Sequence, residues 1–131
     1  MNGCYIPLTL AADISDAATT VQRTFEAPYA GRINVERSYI EWTEATGTQT
    51  TTAGRVDLRA NAVVIGSVTA NLSDAVGETQ TFVVDGTVAT AAQPYVTFTA
   101  GQDISTIIGV QAVDGTIVGD GTAQVWVEYA G

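Results

Sequence analysis

Apolar side chains in this 131-residue chain recur at every second position over short stretches, and nowhere at sustained helical spacing. The clearest case begins at residue 55, where Val56 and Leu58 alternate with Arg55, Asp57 and Arg59. Successive side chains of a β-strand point to opposite faces, so this pattern is typical of a strand with one buried face. Valine and threonine are abundant and leucine is scarce, which also favours strands. The sequence therefore predicts an all-β protein.

Turn residues separate these short segments at intervals of roughly 8–12 residues, a spacing typical of β-sandwiches and barrels. We predict a single antiparallel, jelly-roll-like β-sandwich at residues 19–131, preceded by an N-terminal arm and linker at residues 1–18. Residues 14–18 form the nearest approach to a helix, and they suffice for one turn. The predicted strands are Ile6–Leu10, Val21–Glu26, Ile33–Trp42 with a bend near Arg37 and Ser38, Arg55–Arg59, Val63–Val68, Thr79–Val84, Tyr95–Thr99, Asp103–Val113 and Gln124–Tyr129.

The first ten residues indicate an extended arm or an edge strand. Ile6, Leu8 and Leu10 form an apolar face of period two, next to Tyr5. Pro7 has no N–H to donate to a ladder, so we do not expect this segment in the middle of a sheet.

Composition excludes several classes of function. The chain has no histidine and no lysine, which excludes Ser-His and Cys-His nucleophile pairs, imidazole metal sites and Schiff-base chemistry. A net charge of −9 argues against binding nucleic acid, which needs clustered cations. No apolar run reaches the roughly 18 residues of a transmembrane helix, and no signal peptide is recognised. Cys4 is the single cysteine, so no internal disulfide is predicted.

The charged fraction points to contact with other chains. Only 15% of the residues are charged, against about 25% in typical soluble domains. This is too little charge to cover a monomer in the ordinary way. We therefore expect part of the surface to be buried against other protein chains.

Acidic residues are the only plentiful ionisable groups. Glu36, Glu41 and Glu44 lie close in sequence, but on a regular strand Glu36 and Glu41 face opposite sides, so we expect a solvated face rather than a catalytic pair. The stretch from Asp114 to Gly121, with a second aspartate at Asp120, is rich in Asp-Gly and predicts a turn rather than a calcium loop. We predict no catalytic residue, no metal and no cofactor.

The five basic residues are all arginines: Arg23, Arg32, Arg37, Arg55 and Arg59. Arginine favours planar, bidentate pairing with carboxylates. Such pairs can join subunits or a partner surface, or they can link neighbouring strands within one sheet. The sequence leaves both possibilities open.

The two tryptophans, Trp42 and Trp126, are candidate exposed aromatic residues. Trp126 is out of phase with Val125 and Val127, so it is expected to face away from the core. An exposed tryptophan can stack on a sugar ring or anchor a protein partner. The remaining possibility is that it packs beneath a loop or against the N-terminal arm.

The order of four segments resembles that of the small β-sandwich proteins that decorate the capsids of tailed bacteriophages, also called cement or head-decoration proteins. The resemblance covers roughly residues 21–129 and departs from the family at Asn61-Ala62, where similar proteins have Asn-Gly. It is carried by Phe25-Glu26-Ala27-Pro28-Tyr29-Ala30-Gly31-Arg32-Ile33, Val56-Asp57-Leu58-Arg59-Ala60-Asn61-Ala62, Phe98-Thr99-Ala100-Gly101-Gln102-Asp103-Ile104 and Ala123-Gln124-Val125-Trp126-Val127.

This resemblance implies a virion protein on the capsid exterior, commonly a homotrimer, that bridges subunits of the major capsid protein and has no catalytic residues. On this interpretation the N-terminal residues Tyr5, Ile6, Leu8 and Leu10 are the expected capsid contacts, adding a strand to the capsid or to a neighbouring subunit. Deleting residues 1–10 is then expected to abolish capsid binding and to leave the domain folded.

Two other functions compete with decoration. One is a carbohydrate- or receptor-binding module of a phage tail or fibre, which shares the fold, and fold does not decide function. The other is a small hydrolase with paired carboxylates, against which the size of the chain and its lack of histidine count.

Overall fold

A computed structural model describes residues 3–9, 21–42, 55–69, 77–85, 92–108 and 121–130. Within these ranges the chain forms β-strands and no helix. No helix there is long and apolar enough to cross a membrane. The strands are β1 (Gly3–Thr9), β2 (Val21–Glu26), β3 (Gly31–Trp42), β4 (Arg55–Ala60), β5 (Val63–Thr69), β6 (Thr79–Thr81), β7 (Val83–Val84), β8 (Tyr95–Phe98), β9 (Asp103–Ile108) and β10 (Gly121–Tyr129).

The strands form two antiparallel sheets of five strands each. The first sheet has the order β1-β10-β3, and β6 and β8 both pair with the remaining side of β3. The second sheet has the order β2-β9-β4-β5-β7. The predicted antiparallel β-sandwich is confirmed.

The pairing is nested in the manner of a jelly roll. β1 pairs with β10, β2 with β9, β3 with β8 and β4 with β5, as in one long hairpin. The hairpin is rolled up, because β10 also pairs with β3 and β9 also pairs with β4. Winding a hairpin in this way gives the double-sheet arrangement of jelly rolls.

The core lies between the sheets and follows the period of two. In β10, Ala123, Val125 and Val127 are fully buried, and the residues between them are only partly buried. The other buried apolar residues come from both sheets and form one cluster with them: Leu8, Ala27, Ile33, Val35, Ile40, Trp42, Val56, Leu58, Ala60, Ile65, Val68, Phe82, Phe98 and Ile104.

A bulge interrupts β3 at the predicted position. Gln124 of β10 pairs with Tyr39, but two residues later Trp126 pairs with Asn34, so β3 carries extra residues between these pairs. Ser38 is fully buried within the bulge. Its hydroxyl donates to the carbonyl of Asn34 at 2.9 Å and accepts the N–H of Trp126 at 3.0 Å. These two bonds hold the bulge against β10.

The bulge changes which residues of β3 face the core. Before it the buried positions are odd, Ile33 and Val35, and after it they are even, Ser38, Ile40 and Trp42. An inserted residue shifts the period-two alternation by one position. Sequence numbering alone therefore misplaces every side chain beyond the bulge.

The sandwich has two unlike ends. At the turn end, short turns at residues 27–30, 61–62 and 99–102 join consecutive strands. At the opposite end the strands leave for the longer connections 10–20, 43–54, 70–78 and 109–120. By sequence, these four connections contain seven of the fourteen acidic residues and none of the arginines. These connections therefore carry seven of the nine net negative charges of the chain, and all four begin at the same end of the sandwich.

The structure confirms the edge-strand alternative for the N-terminal segment and corrects the domain boundary that left residues 1–18 outside the sandwich. Gly3–Thr9 is a full strand of the first sheet, paired with β10 along its whole length. Leu8 is only 4% exposed, and Ile6 is partly buried against the same core. The apolar face assigned to a capsid contact is used inside the domain, because β10 offers it a hydrogen-bonding edge. Leu10 lies outside the described residues.

Pro7 limits what β1 can do as an edge. It pairs with Gln124 of β10, and a proline fits an edge strand when its nitrogen faces the free side. The free side of β1 then lacks one donor, which disfavours the addition of a further strand. The structure thus gives no support to strand addition at the N-terminal segment.

Replacing Leu8 by alanine tests the place of β1 in the fold. The Leu8→Ala variant should lose about 2–3 kcal/mol of unfolding free energy, since a buried leucine is replaced at the margin of the core. Urea denaturation followed by tryptophan fluorescence measures this loss. Thr9→Ala, an exposed neighbour, should stay within about 0.5 kcal/mol of the wild type. Equal stability of the two variants would show that β1 does not pack in the core and is a free arm.

The hairpin between β4 and β5 has a two-residue turn. Ala60 pairs with Val63, and both residues between them have positive φ, 52° at Asn61 and 63° at Ala62. This is the type I′ geometry, which suits the twist of paired strands. The turn is therefore the one that Asn-Gly makes, although alanine fills the position that favours glycine.

Replacing Ala62 by glycine should stabilise the protein. The left-handed backbone costs an alanine about 1–2 kcal/mol. Glycine avoids this cost, but its greater conformational freedom in the unfolded state offsets part of the stabilisation. We expect a net increase in unfolding free energy of about 0.5–1 kcal/mol. Ala60→Gly, a buried residue two positions away whose φ is not positive, should instead be destabilising. A fall in melting temperature for Ala62→Gly would contradict this account of the turn.

Candidate binding surfaces

Three aromatic rings meet on the outer face of the first sheet. Tyr5 of β1 pairs with Trp126 of β10, and their ring centroids are 4.9 Å apart at an interplanar angle of 69°. The ring of Tyr39 of β3 also meets Tyr5, with 5.5 Å between centroids and an interplanar angle of 73°. Edge-to-face pairs of this kind are favourable beyond the area they bury. We call Tyr5, Tyr39, Trp126 and the adjoining Arg37 the aromatic face.

Arg37 is held over Trp126 by the bulge. Its guanidinium carbon lies 3.6 Å from the centroid of the indole ring. Its backbone N–H donates to Asn34 Oδ1 at 3.1 Å, and its carbonyl accepts the hydroxyl of Tyr5 at 3.3 Å. An arginine over a tryptophan face is a cation–π pair. Both backbone groups and the side chain of Arg37 are thus positioned from within the sheet.

Glu128 and Arg32 extend this face along the sheet. Glu128 accepts the indole N–H of Trp126 at 3.4 Å with one oxygen and faces Arg32 at 3.3 Å with the other. The guanidinium of Arg32 also lies 4.0 Å from the ring centroid of Tyr95. The alternation of charge and aromatic rings continues across three strands.

The outer face of the second sheet carries a tighter ion pair. Arg55 faces Asp57 through two nitrogens, at 2.9 and 3.0 Å, and the aspartate is only 4% exposed. Arg59 donates to the carbonyl of Ala62 in the hairpin. Arg23 is exposed and makes no ion pair with another described residue. Arg32 and Arg55 therefore pair with carboxylates of the same chain. The other three arginines, Arg23, Arg37 and Arg59, form no ion pair with a described carboxylate.

Trp42 is not an exposed aromatic, contrary to the expectation. It is fully buried, and its indole N–H donates to Gln80 at 3.0 Å. The bulge places even-numbered residues on the inner side of β3, and Trp42 goes with them. Their odd spacing predicted that Glu36 and Glu41 face opposite sides of a regular strand. The bulge lies between them and shifts the alternation, so this argument fails, and both residues are exposed.

Trp126 faces outward, as its phase predicts, but its ring is already in contact with its neighbours. Arg37 lies over it, and a Cβ added at Gly3 would collide with its ring. The main chain of Gly3 therefore packs directly against the indole. This leaves Trp126 poorly suited to stack on a sugar ring.

The described residues contain no group of three or more carboxylate or thiol side chains that could hold a metal ion. Glu44 and the connection from Asp114 to Asp120 lie outside the described residues, and Cys4 is an exposed free thiol.

A second aromatic cluster lies at the turn end. Tyr29 is 65% exposed, and its ring meets that of Tyr129 edge to face at 5.9 Å, while Phe98 meets Tyr129 at 6.2 Å. Burial raises the pKa of the Tyr129 phenol, and Cys4 acts in the same direction. We call Tyr29, Phe98, Tyr129 and the depression beside them the tyrosine end. This depression has a volume of about 280 Å³ and is lined by Ala30, Gly31, Arg32, Thr97, Phe98 and Ala130.

Two of the sequence segments that resemble decoration proteins build the tyrosine end. The turn that begins at Ala27 and the turn that contains Gly101 are joined by two backbone bonds, Ala27 N–H to the carbonyl of Gln102 at 2.9 Å and Gly101 N–H to the carbonyl of Ala27 at 2.8 Å. Gly101 has a φ of 86°, which favours glycine. The backbone of this end is thereby fixed.

Comparisons with known proteins add little to this description. No protein-family model matches the chain, and no curated protein matches it. Among solved structures, a chain from a single-particle study of maize chlorotic mottle virus aligns with 100% of this chain and 95% of its own length, at 14% identity and a TM-score of 0.37. A likeness at this level carries no argument, so the fold assignment rests on the strand pairing.

Sequence reasoning missed most of the aromatic neighbours. Tyr39 and Tyr95 received no role, because their place beside Trp126 and Arg32 depends on strand order and on the bulge. Tyr29 lay inside the recognised Ala-Pro-Tyr-Ala-Gly turn, and an aromatic residue at the tip of a turn was the available signal for an exposed ring.

The Arg55–Asp57 pair should contribute measurably to stability. Arg55→Ala leaves a buried carboxylate without its cation, and we expect a loss of about 1–2 kcal/mol, discounted because the arginine side chain is 43% exposed. Denaturant titration at low salt measures it. The matched control is Arg23→Ala, which removes an exposed arginine and should change stability by less than about 0.5 kcal/mol. If both variants lose the same amount, net charge rather than the pair is responsible.

Proposed function

We propose that this protein is a structural virion protein that decorates the outer surface of a tailed-phage capsid as a homotrimer, bridging subunits of the major capsid protein and catalysing no reaction. The observation that carries the proposal is the tyrosine end, where the segments that resemble decoration proteins meet around an exposed aromatic residue. The jelly-roll winding supports it, since this architecture is common among virion domains, although lectins share it.

We infer that the tyrosine end is the surface that contacts the capsid. Tyr29 is among the most exposed large apolar side chains of the described residues, and tyrosine is enriched among the residues that anchor protein interfaces. The hydrogen-bonded turns around it lose little conformational freedom on binding, which favours affinity. The acidic connections leave from the opposite end of the sandwich, so a particle decorated in this orientation would present negative charge to solvent.

A carbohydrate-binding role has less support. Sugar-binding faces use aromatic rings with a free side, and Trp126 is in contact with both Arg37 and Gly3. The depression at the tyrosine end, at about 280 Å³, is below the usual size of small-molecule sites, roughly 300–1,000 Å³.

Purified virions of the phage that encodes this chain test the proposal. Quantitative mass spectrometry should find the protein at hundreds of copies per particle, as the many equivalent positions of a capsid imply. A handful of copies would assign it to the tail or to a fibre, and its absence from the particle would refute a virion role.

Capsids that lack the protein test the contact surface. Recombinant wild type should co-sediment with them, and Tyr29→Ala should lose at least about tenfold in affinity, as expected for an interface anchor. Val83→Ala is the control, because Val83 is as exposed as Tyr29 but lies on the second sheet. Wild-type binding with no difference between the two variants would move the contact away from the tyrosine end.

A further inference from the structure

The arginines of the described residues divide into those that have a partner and those that do not. Arg32 faces Glu128, Arg55 faces Asp57, and Arg59 donates to a backbone carbonyl. The guanidinium of Arg37 is exposed and rests on an indole ring, which satisfies none of its N–H groups. It has no carboxylate partner among the described residues, although Glu36 precedes it directly.

The stack on Trp126 fixes the plane of this guanidinium. Arginine presents its N–H donors in a planar fork that matches a carboxylate in two parallel bonds. A long side chain normally loses rotamer freedom when it makes such a pair. The side chain of Arg37 is already placed by the ring beneath it and by the two backbone bonds of the bulge. The cost of ordering it is therefore met before any partner arrives.

A second copy of the chain is the partner that the charges favour. The protein carries a net charge of −9, and among the described residues five exposed carboxylates make no ion pair with another described residue: Glu26, Glu36, Glu41, Glu78 and Asp103. The outer face of the first sheet carries two arginines, Arg32 and Arg37, and three carboxylates, Glu36, Glu41 and Glu128, of which Glu128 is the one paired with a described arginine. The unpaired carboxylates of one copy are therefore complementary to the unpaired guanidinium of Arg37 on another.

We propose that Arg37, stacked on Trp126, binds a carboxylate of a second copy of this chain, and that this contact builds the homo-oligomer. Glu26 and Asp103 lie on strands of the second sheet, so with either of them as the acceptor the contact is heterologous and closes into a ring when the rotation permits, as in a trimer. The inference rests on the proposed function for the existence of the oligomer, and it explains why only 15% of the residues are charged.

Sedimentation equilibrium of the full chain, without capsids, tests this inference. Wild type should self-associate in 150 mM NaCl, where salt screens the long-range repulsion between two chains of net charge −9 more than the direct contact of Arg37 with a carboxylate. Arg37→Ala should weaken association by about ten- to one-hundredfold, the range for a hydrogen bond between charged groups. Arg37→Lys keeps the charge but loses the fork, so it should also weaken association. Arg23→Ala removes an equal charge from the edge of the second sheet and should leave association unchanged.

Four outcomes would overturn the inference: a wild-type chain that remains monomeric at millimolar concentration, an Arg37→Ala variant that assembles normally, an Arg37→Lys variant that does so, or equal losses for Arg37→Ala and Arg23→Ala. Thermal melts of each variant show whether the fold is retained, and Arg37→Lys carries the test if Arg37→Ala unfolds. An Arg37→Ala variant that self-associates normally but fails to bind capsids would place the capsid on this face instead. Failure of the proposed function is recognised separately, by the absence of the protein from virions.

Discussion

The buried hydroxyl of Ser38 holds the arrangement on which most of this molecule depends. By bonding to Asn34 on its own strand and to Trp126 on the neighbouring strand, it stabilises a bulge in the middle of the first sheet. The bulge brings Trp42 into the core and places Arg37 outside. A regular strand would have reversed the faces of every residue beyond that point. The packing of one end of the core and the chemistry of one outer face thus have a common cause.

The surfaces that result are consistent with the proposed adhesive role. The turn end is held by backbone hydrogen bonds around exposed and half-buried tyrosines, and the first sheet presents arginines against aromatic rings. These are residue types that interfaces concentrate. Seven of the fourteen acidic residues belong instead to the connections that leave the opposite end of the sandwich. Glu26 and Asp103 remain at the turn end, so the division of acidic charge between the two ends is partial.

Much of the fold followed from period-two patterns. The alternation predicted β2, β4 and β10 closely, and it anticipated the bend in β3, because each of these strands has one buried and one open face. β1 was predicted as an extended arm or an edge strand; it is an edge strand, but it was wrongly left outside the sandwich domain. An apolar face of period two shows that a segment will be covered and does not identify the chain that covers it. The candidate site was less predictable: Trp126 was expected to face outward and does, whereas Tyr39 and Tyr95 gained their roles from strands distant in sequence.

The sequence by itself determined the class of structure and the range of chemistry. Alternation required a sandwich, and a chain without histidine or lysine has few catalytic options. Only the tertiary structure decided which arginines are already paired, which tryptophan is buried, and that β1 belongs to the domain. The physical reason is that these properties depend on strand order and register, which place residues as far apart as Tyr5 and Trp126 in contact. Local pattern reports which face of a strand is apolar, and pairing alone reports what lies across from it.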